Sequence, residues 1–450
     1  MHDLKLAGSK LAFALLLWTP LFALDSPAAE AVGAKTEPVL KSLRSQSAVK
    51  TALEQIRSED ERTLKEQIEI AETPAPSHKE QVRADDYVRR LRGLGLSKIA
   101  IDSEGNVIAQ RPGTRRGGPT LVLSAHLDTV FSADTDVKVR KVGNRYHGAG
   151  ITDDARGLAV LLSVLRSMQA NKLRTQGDVL FVATVGEEGL GNLRGVKALF
   201  RDRTDIDGFI SVDGNEGPDL APGESEVVTR AVGSRRWQLT FLGPGGHSYE
   251  NFGTPSAVHA LGRAISTISD LKPTAEPKTT FTVALVSGGT AINAIAEKAQ
   301  LQVDMRSESP TALAAIEEQI LAAADRAGVD EGKRWGAEPI RVERTLLGDR
   351  PAGAGSSDNA VASTWIGAIV ALGQKPPATV ARSTDSNVPL GLGVPAITAS
   401  GGGVGDKAHS LDEWYEPVSA WRGPQGLLLT TLGLVGLEGG PKPLLAKRKK

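Results

Sequence analysis

Residues 120–130 read TLVLSAHLDTV, an apolar run that ends on a histidine and an acid two positions apart. In an extended strand, residues i and i+2 share a face, so His126 and Asp128 point the same way. Three uses fit that spacing: a metal-ligand histidine steadied by a carboxylate behind it, a catalytic dyad, or a hydrogen-bonded structural histidine. Similar groups recur along the chain. HGAGITDDARG carries Asp153 and Asp154 between Gly150 and Gly157, LFVATVGEEG carries Glu187 and Glu188, and GFISVDGNEG carries Asp213. Late in the chain, ITASGGGVGDKAHSLDEW places His409 after another apolar run and a glycine-rich loop. Each has a plainer use alone: a helix N-cap at Asp153-Asp154, a solvated pair at Glu187-Glu188, turn chemistry at Asp213-Gly214, and a surface histidine at 409. Together they form a collection of acids that would repel one another and raise one another's pKa values. A divalent cation relieves that cost. Imidazole and carboxylate donors without thiolate suit zinc, and also cobalt or manganese. A pair of such ions, joined by a carboxylate, is an arrangement for hydrolysis.

Such groups need elements that bring them to one rim. HKEQVRADDYVRRLRGLG has helical periodicity and ends on Gly93 and Gly95, suited to a helix C-terminus. KIAIDSEGNVIAQRPG reads as a hairpin turning at Gly105-Asn106. TLVLSAHLDTV, DVLFVATV and GFISVDG read as strands, with ARGLAVLLSVLRSMQA as a helix between the first two. Near-continuous apolar strands alternating with helices imply an α/β sheet covered on both faces. Ligands in such sheets bind outside the carboxyl ends of the strands, where these acids and histidines lie.

The pattern changes at about residue 232. From there to residue 348, strand, helix, two strands, helix and strand follow in the ferredoxin-like order. The α/β pattern then resumes with SSDNAVASTWIGAIVALG and VPAITAS. The expected divisions are a catalytic domain in two parts, 29–231 and 349–440, an inserted α+β domain, 232–348, and a frayed basic tail, 441–450. Residues 36–72 read as helix, with charge pairing on a solvated face.

The chain has 450 residues, 40% hydrophobic and 24% charged, with Lys+Arg and Asp+Glu both at 53. That balance offers no bulk field for nucleic acid. Cysteine is absent, which excludes disulfides and thiolate metal sites. Lys5 and Lys10 precede LAFALLLWTPLFAL and SPAAEA, the pattern of a secretory signal peptide over residues 1–28. Cleavage near Ala28, or at Ala31, leaves a periplasmic or secreted protein with no stable membrane anchor.

SAHLDTV, GAGITDDARG, VGEEGLG, SVDG, GPGGHS, NAIAEKAQLQVDMRS and GGGVGDKAHSLDEW resemble, in order, the motifs of one zinc-dependent exopeptidase family. Its members include glutamate carboxypeptidase, tripeptide aminopeptidase, aminoacylase and succinyl-diaminopimelate desuccinylase. The resemblance spans roughly residues 68–435. It implies a mixed sheet flanked by helices, with the inserted ferredoxin-like domain acting as lid and dimerisation domain. It also implies two Zn²⁺ per subunit: His126 and Asp213 on one, Glu188 and His409 on the other, Asp153 between them and followed by a cis peptide bond. Asp128 would orient His126. Glu187 would be the general base toward a metal-bound water. His247, in GPGGHS, would reach a neighbouring site across a homodimer and stabilise the oxyanion. Arg306 would bind a substrate carboxylate, and Asn293 would be a further polar contact. The implied substrates are short peptides; the alternative is an N-acyl-amino-acid amidohydrolase or carbamoylase using the same site. One departure stands beside the bridging acid, where the family often has lysine and this chain has Asp154-Ala155-Arg156. Arg156 is expected to pair charges there. Asp in place of Glu at 213 is nearer the peptidase branches.

Overall fold

The fold is taken from a computed structural model, which describes residues 27–221, 223–353, 355 and 359–448. The expected signal segment lies outside these residues up to position 26. An eight-stranded mixed sheet forms the centre. Its spatial order is Ile99–Ile101, Val107–Arg111, Asp178–Thr184, Thr120–His126, Gly208–Val212, Ala396–Ala399, Glu226–Ala231 and Ala378–Arg382. The four middle strands, Asp178–Thr184 through Ala396–Ala399, run parallel, with His126 opposite Thr184 and Ala399 opposite Val212. Their carboxyl ends therefore open on one edge. The strand Thr120–His126 is buried along its whole length, as its unbroken apolar run requires.

Helices cover both faces. Ala155–Ala170 lies in the main core, and its first turn is capped by Asp154, whose carboxylate accepts the Gly157 N–H at 3.0 Å. Gly157 permits the close approach: a Cβ there would stand 2.2 Å from the Val212 carbonyl oxygen. The segment expected to be helical with a solvated face is three helices, Pro27–Ser45, Ser47–Ser58 and Asp60–Ala71, which also bear a buried apolar face. Leu40, Leu43, Val49, Leu53, Ile56 and Ile70 are buried in the central core. Their charged positions face outward while the apolar stripe packs on the Ala155–Ala170 helix and its neighbours, an ordinary amphipathic solution. The tail also differs from expectation. Leu445 is buried, and Lys447 Nζ and the Arg448 N–H bind the two oxygens of Asp207 at 3.0 and 2.7 Å.

A second sheet holds four antiparallel strands in the order Thr279–Gly288, Lys298–Ser307, Gly233–Leu242, Arg341–Arg350. Helices Ala257–Ser269 and Pro310–Trp335 pack on it around a separate apolar core that includes Phe241, Leu301, Met305 and Ile320. This is the ferredoxin-like arrangement, and its last strand continues to Arg350. The chain enters and leaves it side by side, where Ala231 and Gly353 exchange backbone hydrogen bonds of 2.9 and 3.2 Å. A third, small sheet orders Val404–Asp406, Trp414–Glu416, Arg145–His147 and Arg140–Val142. It joins the hairpin bearing His409 to the strand just before Asp153. Among the described residues, no helix is long and apolar enough to cross a membrane.

Candidate metal centre and active site

His126, Asp153, Glu187, Glu188, Asp213 and His409 meet at the edge where the parallel strands end. Donor atoms of His126, Asp153 and Asp213 lie within 4.8 Å of one another, as do those of Asp153, Glu188 and His409. Asp153 belongs to both groups. Its Oδ1 is 2.8 Å from His126 Nε2, and its Oδ2 is 3.0 Å from His409 Nε2. Glu188 Oε1 is also 3.0 Å from His409 Nε2. The Asp153-Asp154 peptide bond is cis.

The small sheet explains how residues so far apart in the chain converge. Trp414 pairs with His147, which carries the hairpin holding His409 onto the strand that runs into the Asp153 loop. Glu413 then locks that loop. Its carboxylate accepts the N–H groups of Gly150 and Thr152 at 2.8 Å each, the Thr152 hydroxyl at 2.6 Å and the Asp153 N–H at 3.2 Å. Burial, reinforced by the Asp153 charge, pushes the Glu413 carboxyl up to about 7 against those bonds.

The electrostatics show why a cation fits. Burial and the Asp153 charge push Asp213 up to about 7. Burial and the same neighbour raise Glu188. His409 is drawn up to about 11 by the carboxylates of Asp153 and Glu188. Protons thus accumulate where two positive ions would otherwise neutralise the acids. Two imidazoles and three carboxylates in two groups sharing one aspartate form a donor set suited to a pair of divalent cations. Zinc-type chemistry fits these residues.

Asp128 sits differently from the expected carboxylate–imidazole pairing. His126 Nδ1 is 3.0 Å from the Asp128 backbone oxygen and 3.7 Å from its carboxylate. The carbonyl therefore selects the Nδ1–H tautomer and frees Nε2 toward Asp153. The carboxylate instead accepts the Ser77 hydroxyl at 2.6 Å and the N–H groups of Glu187 and Glu188 at 3.0 and 3.1 Å. Burial opposes its ionised form, but the imidazole and these donors hold it down at about 2. Arg83, also buried, donates to the Leu127 carbonyl at 2.7 Å and fixes the strand end.

Glu187 is buried beside Glu188, and burial raises its carboxyl well above the ordinary range. Arg350 opposes that shift, with Nη1 3.0 Å from Glu187 Oε1. Arg156 does not form the expected ion pair. It lies buried over the Tyr415 ring and donates to the carbonyls of Gly401 and Ala420 at 2.8 and 2.7 Å. It thereby ties down the glycine loop leading to His409.

The candidate residues on the inserted domain form a separate set. His247 and Asn293 are exposed and adjacent, joined through the Ser248 N–H to the Asn293 carbonyl at 2.9 Å. The strand Gly246–His247 pairs with Ala294–Ile295. Arg306 Nε pairs with Asp304 Oδ2 at 2.8 Å, and its side chain is partly exposed on the four-stranded sheet of the inserted domain. None of the three is bonded to the metal-ligand set. Glu413, Arg350 and Ser77 are the contributors that sequence reading did not single out. Glu413 lies within the His409 motif, four residues after the histidine, but its partners at Gly150, Thr152 and Asp153 are about 260 residues away in the chain. Arg350 carries no local signal.

Comparison with known proteins agrees with this geometry. The sequence profile described as Peptidase family M20/M25/M40 matches residues 122–427. A succinyl-diaminopimelate desuccinylase of Burkholderia pseudomallei (strain 668) is 26% identical over 281 residues, covering 58% of this chain and 72% of that protein. The structure of aminopeptidase PepT from Bacillus cereus superposes with a TM-score of 0.66 at 21% identity, covering 82% of this chain and 97% of that one. The Bacillus subtilis YXEP protein, described as a dinuclear metal-binding peptidase, superposes with a TM-score of 0.62 at 15% identity, over 84% of this chain and 99% of that one.

Proposed function

The chain belongs to peptidase family M20/M25/M40 and is a hydrolase of amide or peptide bonds, and from that premise we propose that it is an exported dinuclear-zinc exopeptidase or di/tripeptidase. The observation that carries the metal assignment is Asp153, whose two oxygens face two histidines within two ligand groups. His126 and Asp213 would hold one ion, Glu188 and His409 the other, with Co²⁺ or Mn²⁺ as substitutes. The ion pair, when bound, supplies Lewis acidity toward the scissile carbonyl and makes the attacking water more acidic.

The protein's own groups do the rest. Glu187 takes the proton from the attacking water and delivers it to the departing amine. Burial raises the Glu187 carboxyl above its ordinary range, which makes its carboxylate a stronger proton acceptor. Asp128 fixes the backbone from which Glu187 projects. Arg306 would clasp a substrate carboxylate with its planar guanidinium, and Asn293 would add a polar contact. His247, exposed on the lid, would stabilise the developing oxyanion in a second subunit of a lid-mediated homodimer. The composition of residues 1–28 supports export, with cleavage near Ala28. The division at 232 and 348 supports a lid that closes over the substrate.

The desuccinylase similarity favours one second reading, an N-acyl-amino-acid amidohydrolase or carbamoylase at the same site. Di- and tripeptides assayed beside N-acyl and N-carbamoyl amino acids separate the two. The peptidase reading expects turnover of peptides and little of the acyl compounds. Glu187→Gln should lower kcat by about 10²- to 10⁴-fold; full turnover in that variant would overturn the general-base assignment.

A further inference from the structure

The loop that carries Glu187 is held by the lid. Arg350, the last residue of the lid strand Arg341–Arg350, donates from Nη1 to Glu187 Oε1 at 3.0 Å and from Nη2 to the Glu187 carbonyl. Its neighbour Asp349 donates its N–H to Asn192 Oδ1 at 2.8 Å, and Lys197 Nζ donates to the Asp349 carbonyl at 2.6 Å. From the adjacent lid strand, Arg236 Nη1 donates to the Gly189 carbonyl at 2.7 Å. Arg236 is itself fixed by Asp304, at 2.8 Å, and the other oxygen of Asp304 holds Arg306 at 2.8 Å. Residues 187–192 are thus bound to the lid through both side chain and backbone, just beyond the paired crossing at Ala231 and Gly353.

We propose that Arg350 is a positioning residue for Glu187, coupling the orientation of the general base to the placement of the lid. Its guanidinium is buried, 5% exposed, and grips the carboxylate and the carbonyl of one residue together. That double grip fixes both the rotamer and the backbone of Glu187. Stability alone explains it poorly, because buried ion pairs contribute little net free energy and Arg350 Nε has no partner among the described residues. Lid movement carries Arg350 with it, so the base is oriented only when the lid is correctly seated. A proton carrier displaced by even an ångström loses rate more than affinity.

This inference rests on Glu187 being the base, and the test separates the two. Arg350→Ala, Arg350→Lys, Glu187→Gln and the Arg350→Ala/Glu187→Gln double variant are purified with metal, and kcat, KM, metal content and melting temperature are measured. Arg350→Ala should lower kcat about 10- to 100-fold, with KM within about threefold and metal retained. Arg350→Lys should recover part of kcat, since an ammonium keeps the charge without the planar double grip. In the Glu187→Gln background, Arg350→Ala should cost less than about twofold, the non-additivity expected of one acting through the other. An unchanged kcat in Arg350→Ala or in Arg350→Lys overturns the proposal, as does an additive double variant. If Arg350→Ala does not fold, the lysine variant decides. An inactive Glu187→Gln beside a fully active Arg350→Ala refutes only the positioning role; an active Glu187→Gln refutes the base itself.

Discussion

The carboxylate of Asp128 accepts the backbone N–H of Glu187 at 3.0 Å, so the strand end that presents His126 also sets the loop that presents Glu187. The second oxygen does the same for Glu188 at 3.1 Å. Replacing one oxygen by an amide points a donor at donors. Asp128→Asn should therefore lower kcat about 10- to 100-fold, the usual range for groups that orient metal ligands. Metal analysis and steady-state kinetics on the same preparation check it. A variant with normal kcat would mean the two N–H bonds do not govern the loop.

Asp153 faces both histidines, so its loss should empty both positions. Asp153→Ala should bind fewer than half the divalent ions of the parent protein, whereas Asp213→Ala should retain the ion on the Glu188–His409 side. Chelation of the parent should abolish turnover, and Zn²⁺ or Co²⁺ should restore it. Elemental analysis after dialysis distinguishes the variants. Equal losses in the two would argue against a shared aspartate.

Glu413 satisfies three N–H groups and one hydroxyl in the loop before and at Asp153. Truncation to alanine leaves these donors unpaired in a buried place. The expected loss is on the order of 3 kcal/mol, read as a lower denaturant midpoint, with weaker metal retention. Glu413→Gln, which keeps one acceptor oxygen, should fall between.

The inserted domain should have its own acid sensitivity. Burial pushes the Glu331 carboxyl up, but bonds from Arg263 Nε at 3.0 Å, Trp335 Nε1 at 3.1 Å and the Ser256 N–H at 3.3 Å outweigh it and hold it below its ordinary 4.5. A carboxyl depressed on folding stabilises above its unfolded value and loses that contribution as pH falls through the folded one. The stability gap between the parent and Glu331→Gln should be widest near neutrality and shrink below about pH 4.5. Denaturant titrations of both proteins across that range measure it. A gap that does not change with pH would exclude an ionised Glu331.

His126, Asp213 and the Glu187-Glu188 pair were legible because they follow apolar runs whose parallel strands end on one edge, and Asp153 and His409 because they sit in glycine-rich loops beside such runs. The inserted domain was legible because its order of strands and helices differs from that of the sheet around it. What escaped were roles made by distant partners. Nothing near Arg350 in sequence announces Glu187, 163 residues away. The helices at 36–72 displayed their charges plainly, but the surface awaiting their leucines belongs to helices much later in the chain. Leu445, amid basic residues, read as tail for the same reason.

The small sheet has a consequence for biogenesis. It hydrogen-bonds Arg145–His147 to Trp414–Glu416, and Glu413 closes on Asp153 across 260 residues of chain. Contacts of such long range form late, since closing a large loop must precede any gain from it. A nascent or truncated chain lacking this hairpin carries His126, Asp153, Glu187 and Asp213 but neither His409 nor the acid that locks the loop. Turnover is therefore expected only of a chain in which the closing hairpin has been made and docked, with His409 and Glu413 in place.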